Sequence, residues 1–100
     1  MDGDIKCEES QTGNGFCASV AGHQIGAINF LFVGSDRLII ESMDVSEEYK
    51  NTDLCLFLVR KVADCARTQH RKIITMCPRA QAMFNRYPEF DDVRFIRVDV

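Results

Sequence analysis

No apolar run in this chain approaches the roughly 20 residues that a membrane-spanning helix needs, so no membrane-spanning role is expected. No C-x-x-C pair occurs among the five cysteines, Cys7, Cys17, Cys55, Cys65 and Cys77. Their spacing does not fit a structural zinc site, and no metal site is expected. The count is odd, and the acidic, polar N-terminus does not resemble a signal peptide. A disulfide framework is therefore not expected; reduced thiols in a cytoplasmic protein are. Internal repeats and low-complexity stretches are absent too. At 100 residues there is no room for a second independent core.

What is present looks globular. The chain is 46% hydrophobic and 27% charged, which argues against a disordered, collagen-like or coiled-coil protein. A domain of this size buries only about 60–65% of the surface its unfolded chain exposes, so modest stability is expected. The net charge of −3 is unevenly spread. Residues 1–50 carry nine acidic and three basic groups, and residues 51–100 carry six acidic and nine basic ones. A cationic second half suits an anionic ligand, and it also suits an ordinary solvated surface.

Periodicity outlines the elements. The first residues, 1–13, are polar and weakly patterned, so a flexible N-terminus is expected there, followed by one domain over residues 14–100. Phe16 to Val20 alternates as a strand does. Ala21-Gly22-His23 is turn material, which makes a hairpin with a longer strand from Gln24 to Val33. After Gly34-Ser35-Asp36 comes a third strand, Arg37 to Val45. Its continuous run Leu38-Ile39-Ile40 suggests cover on both faces.

The period then becomes helical. Leu54, Leu58, Val62 and Ala66 form one stripe, with Cys55 and Val59 beside it and Arg60, Lys61, Asp64, Arg67 and Thr68 opposite. That predicts a helix of about four turns, capped by Asn51 or Thr52. Cys55 and Cys65 fall on its inner side. Lys72 to Met76 reads as a fourth strand. Pro78 suits the first turn of a second helix running through Phe84, Tyr87 to Phe90 reads as a break, and Val93 to Val100 as a last edge strand. The strand-helix-strand unit from Arg37 to Met76 implies a parallel, right-handed crossover. The expected fold is α/β (α+β): a mixed antiparallel and parallel sheet, one long helix and one or two short C-terminal ones.

The order of elements and the tail Ile73-Ile74-x-x-Cys77-Pro78-x-Ala80-x-x-x-Phe84-x-x-x-Pro88-Glu89-Phe90-x-Asp92 resemble the minimal GNAT-like acyltransferases, single-domain relatives of the GCN5-related N-acetyltransferases. The resemblance covers roughly residues 14 to 95. It implies acetyl transfer from acetyl-CoA to a small-molecule or peptide amine. It places the pyrophosphate on the loop before the long helix and the pantetheine between two splayed parallel strands, here Arg37 to Val45 and Lys72 to Met76. The implied cofactor-binding residues are Val45, Lys50, Asn51, Thr52, Asp53, Leu54 and Cys55.

The family's loop follows the pattern Q/R-x-x-G-x-G/A, whose glycines let backbone amides approach phosphate. Aligned on Asp44-Val45, Lys50 holds the first position, Asp53 the first glycine and Cys55 the second, and Asn51 stands where many relatives carry a further glycine. Asp53 sets a carboxylate where an anion should rest. The resemblance implies that Cys77 is the active-site cysteine, whether as nucleophile or as acid/base, just past a parallel strand and ahead of a helix start. Glu41 and Ser42 are the remaining catalytic candidates, Ser42 standing where some relatives carry His. A degenerate, non-catalytic domain that serves as an interaction module is the alternative that Asp53 favours. Arg79, Phe84, Arg86, Tyr87 and Phe90 could suggest nucleic acid, but Glu89, Asp91 and Asp92 interrupt the patch, the chain is acidic overall, and Phe84 and Phe90 read as core. An apolar sheet surface in so small a domain would allow a homodimer.

Overall fold

The structure is a computed structural model that describes residues 5–11 and 13–95. Five strands lie side by side in chain order: β1 (Lys6–Glu9), β2 (Gly15–Val20), β3 (His23–Val33), β4 (Arg37–Val45) and β5 (Lys72–Thr75). The first four pair antiparallel and β5 pairs parallel to β4. The sheet is mixed, as the pattern of the sequence implies. Between β2 and β3 both Ala21 (φ 51°) and Gly22 (φ 82°) are left-handed. A two-residue hairpin whose twist matches its strands requires that.

Helix α1 (Leu54–Thr68) makes the crossover from β4 to β5, and α2 (Pro78–Arg86) follows β5. Single 3-10 turns sit at Glu47–Tyr49 and Pro88–Phe90. The helical stripe behaves as its spacing demands. Leu54, Cys55, Leu58, Val59, Val62 and Ala66 are buried, while Arg60, Lys61, Asp64, Arg67 and Thr68 are exposed. Cys65 is only half-buried. Together with Ile28, Phe30, Leu38, Ile40, Met43 and Ile73 of the sheet and Ala80 and Phe84 of α2, these residues form one core. Each such large side chain contributes about 1.5–3 kcal/mol of transfer free energy when fully buried. Phe84 and Phe90 stack at 5.1 Å inside it, so neither is available to a nucleic-acid base.

Several expectations need correction. Lys6–Glu9 pairs with β2 from Lys6↔Ser19 to Glu9↔Phe16, in a stretch where no strand was expected. An edge strand built of Lys, Cys and Glu shows no apolar alternation, because charge protects an open sheet edge. The run Leu38-Ile39-Ile40 is not covered on both faces. Leu38 and Ile40 are fully buried under the helices, whereas Ile39 is half-buried on the other face. The cap of α1 is Asp53 rather than Asn51 or Thr52. Thr52 braces the preceding turn instead: its hydroxyl donates to the Tyr49 carbonyl at 2.6 Å and accepts from the Leu54 amide at 3.3 Å. The expected strand over Val93–Val100 lies largely outside the described residues. Its start runs parallel beside β5, with the Phe95 amide donating to the Ile73 carbonyl at 2.9 Å.

Arg67 ties α1 to the segment after α2. Its guanidinium donates to both carboxylate oxygens of Asp92, at 2.8 and 3.1 Å, and to the Glu89 carbonyl at 2.7 Å. Arg60, about two turns earlier on α1, makes a two-pronged pair with Glu89, at 2.8 and 3.0 Å. These contacts fix the position of α2, and so of the residues at its start.

Candidate functional site

The site starts from an irregularity in β4. Pairing with β3 shifts register between Asn29 and Phe30, so Phe30 faces Ile40 while Asn29 faces Ser42. Glu41 is the extra residue of a bulge. The bulge keeps the core supplied: Leu38 and Ile40 point inward before it, Met43 and Val45 after it. A strand that kept strict alternation through Glu41 would turn Met43 and Val45 outward.

Beyond the bulge β4 loses its other neighbour. Pairing with β5 covers only Arg37↔Lys72 to Ile40↔Thr75, and the last link runs from the Met76 amide to the Ile40 carbonyl at 2.9 Å. Five more residues of β4 continue alone on that side. The Ser46 amide donates to the Ile25 carbonyl at 2.9 Å, so by alternation Asp44 and Ser42 turn their peptide groups toward β3. Met43 and Val45 turn theirs into the gap left by β5. The gap is thus walled by bare peptide groups on one side and by the Met76-Cys77-Pro78 turn on the other.

The loop that leaves β4 ends at the start of α1, close to this gap. Among the described residues, the amides of Asn51, Asp53, Cys55 and Leu56 have no partner within the chain. Unused donors and the positive end of the helix dipole both favour an anion there. The missing glycines do not disturb this backbone. Ala21 and His70 are the non-glycine residues with positive φ among the described residues, and Asp53 has φ −82°. What the loop lacks without glycine is room. Lys50 is exposed and donates to Glu47 at 2.8 Å, holding that carboxyl below the usual carboxylate range. An exposed pair of this kind contributes little, so Lys50 can turn to another anion.

The other candidates divide clearly. Val45, Leu54 and Cys55 are buried, and they can offer a ligand only backbone. Asn51, Thr52 and Asp53 are exposed along the loop. Cys77 caps α2, accepts the Gln81 amide at its carbonyl at 2.9 Å, and is 8% exposed. Its neighbour Met76 is 68% exposed. Ser42 accepts from the Asn29 amide group at 3.1 Å, on the sheet face away from the helices. Glu41 is exposed in the bulge, with no burial to desolvate it. His70 lies between α1 and β5, at the opposite end of β5 from Cys77. No cluster of His, Cys, Asp or Glu that could hold a metal ion occurs among the described residues, and no helix there is long and apolar enough to cross a membrane.

Comparison with known proteins identifies the family. The family model for GCN5-related N-acetyl-transferase matches residues 15–93. The chain belongs to this family. Among solved structures, the NMR solution structure of a GCN5-like protein from Staphylococcus aureus is 25% identical, with a TM-score of 0.72 over 95% of this chain and 90% of that one. A GNAT family acetyltransferase from Elizabethkingia anophelis with acetyl-CoA bound is 15% identical, with a TM-score of 0.61 over 84% of this chain and 61% of that one. N-acetylglutamate synthase from Neisseria gonorrhoeae, complexed with coenzyme A and N-acetyl-glutamate, is 16% identical, with a TM-score of 0.64 over 82% of this chain and 21% of that one. At those identities the last two show the GNAT fold alone. No curated protein matches the sequence.

Proposed function

We propose that this GNAT domain moves an acetyl group from acetyl-CoA to an amine. The observation that carries the reading is the gap between β4 and β5, where the peptide groups of Met43 and Val45 have no strand partner. A thioester arm laid in that gap would complete the sheet edge. The fit extends to the phosphates, because the free amides of Asn51, Asp53, Cys55 and Leu56 lie at the start of α1 with Lys50 nearby. Acetyl-CoA supplies the activated acyl carbon. When the amine nitrogen attacks that carbon, the carbon–sulfur bond breaks, the nitrogen loses a proton and the sulfur gains one.

The residues of the chain divide this work. The Met43 amide points into the gap, where it can donate to the thioester oxygen as charge builds on it. Cys77 stands at the end of β5 and is the group we assign to protonate the departing sulfur. Glu41 is exposed in the bulge of the free protein; once covered by bound substrates, it is the carboxylate we assign to take the proton from the amine. The reading rests on geometry and family together.

Asp53 favours a second reading, a domain that keeps the scaffold without the reaction. Two anions about 4 Å apart repel by roughly 1 kcal/mol in bulk water and roughly 4 kcal/mol near a protein surface. That is about a fivefold to a thousandfold loss of affinity. Calorimetric titration of acetyl-CoA into wild type and Asp53→Gly separates the readings. Glycine is tolerated at a helix cap at a cost of a few tenths of a kcal/mol, so the variant is expected to fold. Micromolar binding by wild type, tightened by the substitution, supports the transferase. Binding by the glycine variant alone supports the silent module, and binding by neither removes the cofactor from the account.

A further inference from the structure

A cavity of about 460 Å3 opens where α1 gives way to β5, at the end of that strand away from Cys77. Arg67, His70, Arg71, Lys72 and Asp92 line it, and Ala66 and Val93 form its apolar part. We propose that it binds a small organic phosphate: Arg71 and Lys72 take the phosphoryl group, His70 donates to it from the rim, and Ala66 and Val93 meet the organic part. The volume lies within the range of small-molecule sites.

The charge balance selects the ligand. Asp92 is the one carboxylate in the lining. Arg67 neutralises it, donating to both of its oxygens at 2.8 and 3.1 Å. Arg67 is thereby fully occupied, since it also donates to Asp64 at 3.0 Å and to the Glu89 carbonyl at 2.7 Å. Arg71 and Lys72 remain. The half-buried Arg71 guanidinium donates to Gln69 and to the carbonyls of Gly34 and Arg37, and lies 4.5 Å over the Phe32 ring. The Lys72 ammonium donates to the Asp92 carbonyl, on the same lining residue that Arg67 holds. All these partners are neutral, and neither cation forms an ion pair among the described residues. A phosphate monoester, with a charge of about −1.5 to −2 near pH 7, answers both cations. A carboxylate answers one, and a neutral ligand neither.

His70 adds an independent observation. α1 ends with the Arg71 amide donating to the Ala66 carbonyl at 2.8 Å and the His70 amide to the Arg67 carbonyl at 3.2 Å. This is the Schellman pattern, and it places His70, with φ 57°, at the position that glycine usually fills. A side chain there gives up stability that glycine would supply. The exposed imidazole makes no hydrogen bond, ion pair or ring contact among the described residues. A strained residue with an unused polar side chain, beside two cations without counter-charges, serves a ligand better than it serves the fold.

The test uses the full chain without acetyl-CoA, and the cavity lies away from the gap between β4 and β5, so failure here leaves the transferase reading standing. Phenyl phosphate is titrated at about 0.15 M ionic strength, where loose surface attraction is screened, while backbone amide resonances are followed by NMR. Inorganic phosphate and benzoate are the comparison probes. Saturable shifts are expected at His70, Arg71, Lys72 and Val93. Phenyl phosphate should bind about threefold or more tighter than inorganic phosphate, through its apolar body, and about tenfold or more tighter than benzoate, through its second charge. Lys72→Met should weaken phenyl phosphate about tenfold. His70→Gly should weaken it about threefold or more while raising Tm by about 4 °C or more, so binding lost in that variant is not fold lost. Benzoate or inorganic phosphate bound as tightly as phenyl phosphate overturns the proposal. So do shifts that fail to saturate or that leave His70 to Lys72 unmoved, and so does an unchanged affinity in Lys72→Met or His70→Gly.

Discussion

The seat of α1 on the sheet can be tested through two glycines with different surroundings. At Gly26 on β3, an added Cβ would lie 3.1 Å from Leu54 Cδ2, 3.3 Å from Leu58 Cδ1 and 3.3 Å from the Asp44 carbonyl oxygen. Two of these neighbours are flexible tips of leucines, which can move by a few tenths of an ångström. At Gly15 on β2, the added Cβ would fall on the Ile28 carbonyl oxygen, part of the backbone that pairs the strands. That atom cannot yield without breaking the ladder. Gly26→Ala is therefore expected to cost about 1 kcal/mol or less, and Gly15→Ala about 2–3 kcal/mol, within the range for overpacked sites. For a domain of this size each kcal/mol lowers Tm by about 4–8 °C. The assay is urea unfolding by circular dichroism with a thermal melt as a second probe. A Gly15→Ala variant as stable as Gly26→Ala would refute the reasoning. Gly26→Val carries the test to the site, because its methyls push against Leu54, the first residue of α1. It should weaken acetyl-CoA more than Gly26→Ala does.

Two further outcomes follow from the same contacts. Cys77→Ser should keep acetyl-CoA binding while turnover with a panel of primary amines, read as thiol release, falls by about 100-fold or more; unchanged turnover would remove Cys77 from the reaction. The hydrogen bonds of Arg67 hold the Asp92 carboxyl below its usual range, and Arg60 does the same to Glu89. A carboxylate with a depressed folded pKa stabilises the protein above its unfolded value, about 3.9 for Asp and 4.3 for Glu. It loses that effect as pH falls through the folded value. Stability should therefore decline below about pH 4, and Arg67→Met should flatten the decline; an unaltered acid slope in that variant speaks against the clasp.

Much of this fold is legible in the residues. The stripe from Leu54 to Ala66 has one helical period and one face, so α1 follows from burial alone. The strand from Arg37 to Val45 has the predicted ends, because turn residues bound it on one side and a charged loop on the other. The site is harder to read. The Glu41 bulge leaves a trace in the shift of apolar positions from Leu38 and Ile40 to Met43 and Val45, a signal that a simple alternation count passes over. The parting of β4 from β5 leaves none. It depends on where two strands distant in sequence stop pairing, which local pattern does not encode. β1 fails for a related reason: Lys6 to Glu9 is held by backbone pairing, to which its side chains give no apolar signature.

Amide hydrogen exchange at β4, measured with and without acetyl-CoA, addresses the parted strands most directly. In the free protein the Met43 and Val45 amides should exchange well ahead of those of Ser42 and Asp44, which bond to β3, and acetyl-CoA should slow them. Met43 and Val45 protected from the outset, or exchange untouched by the thioester while other regions respond, would contradict the account.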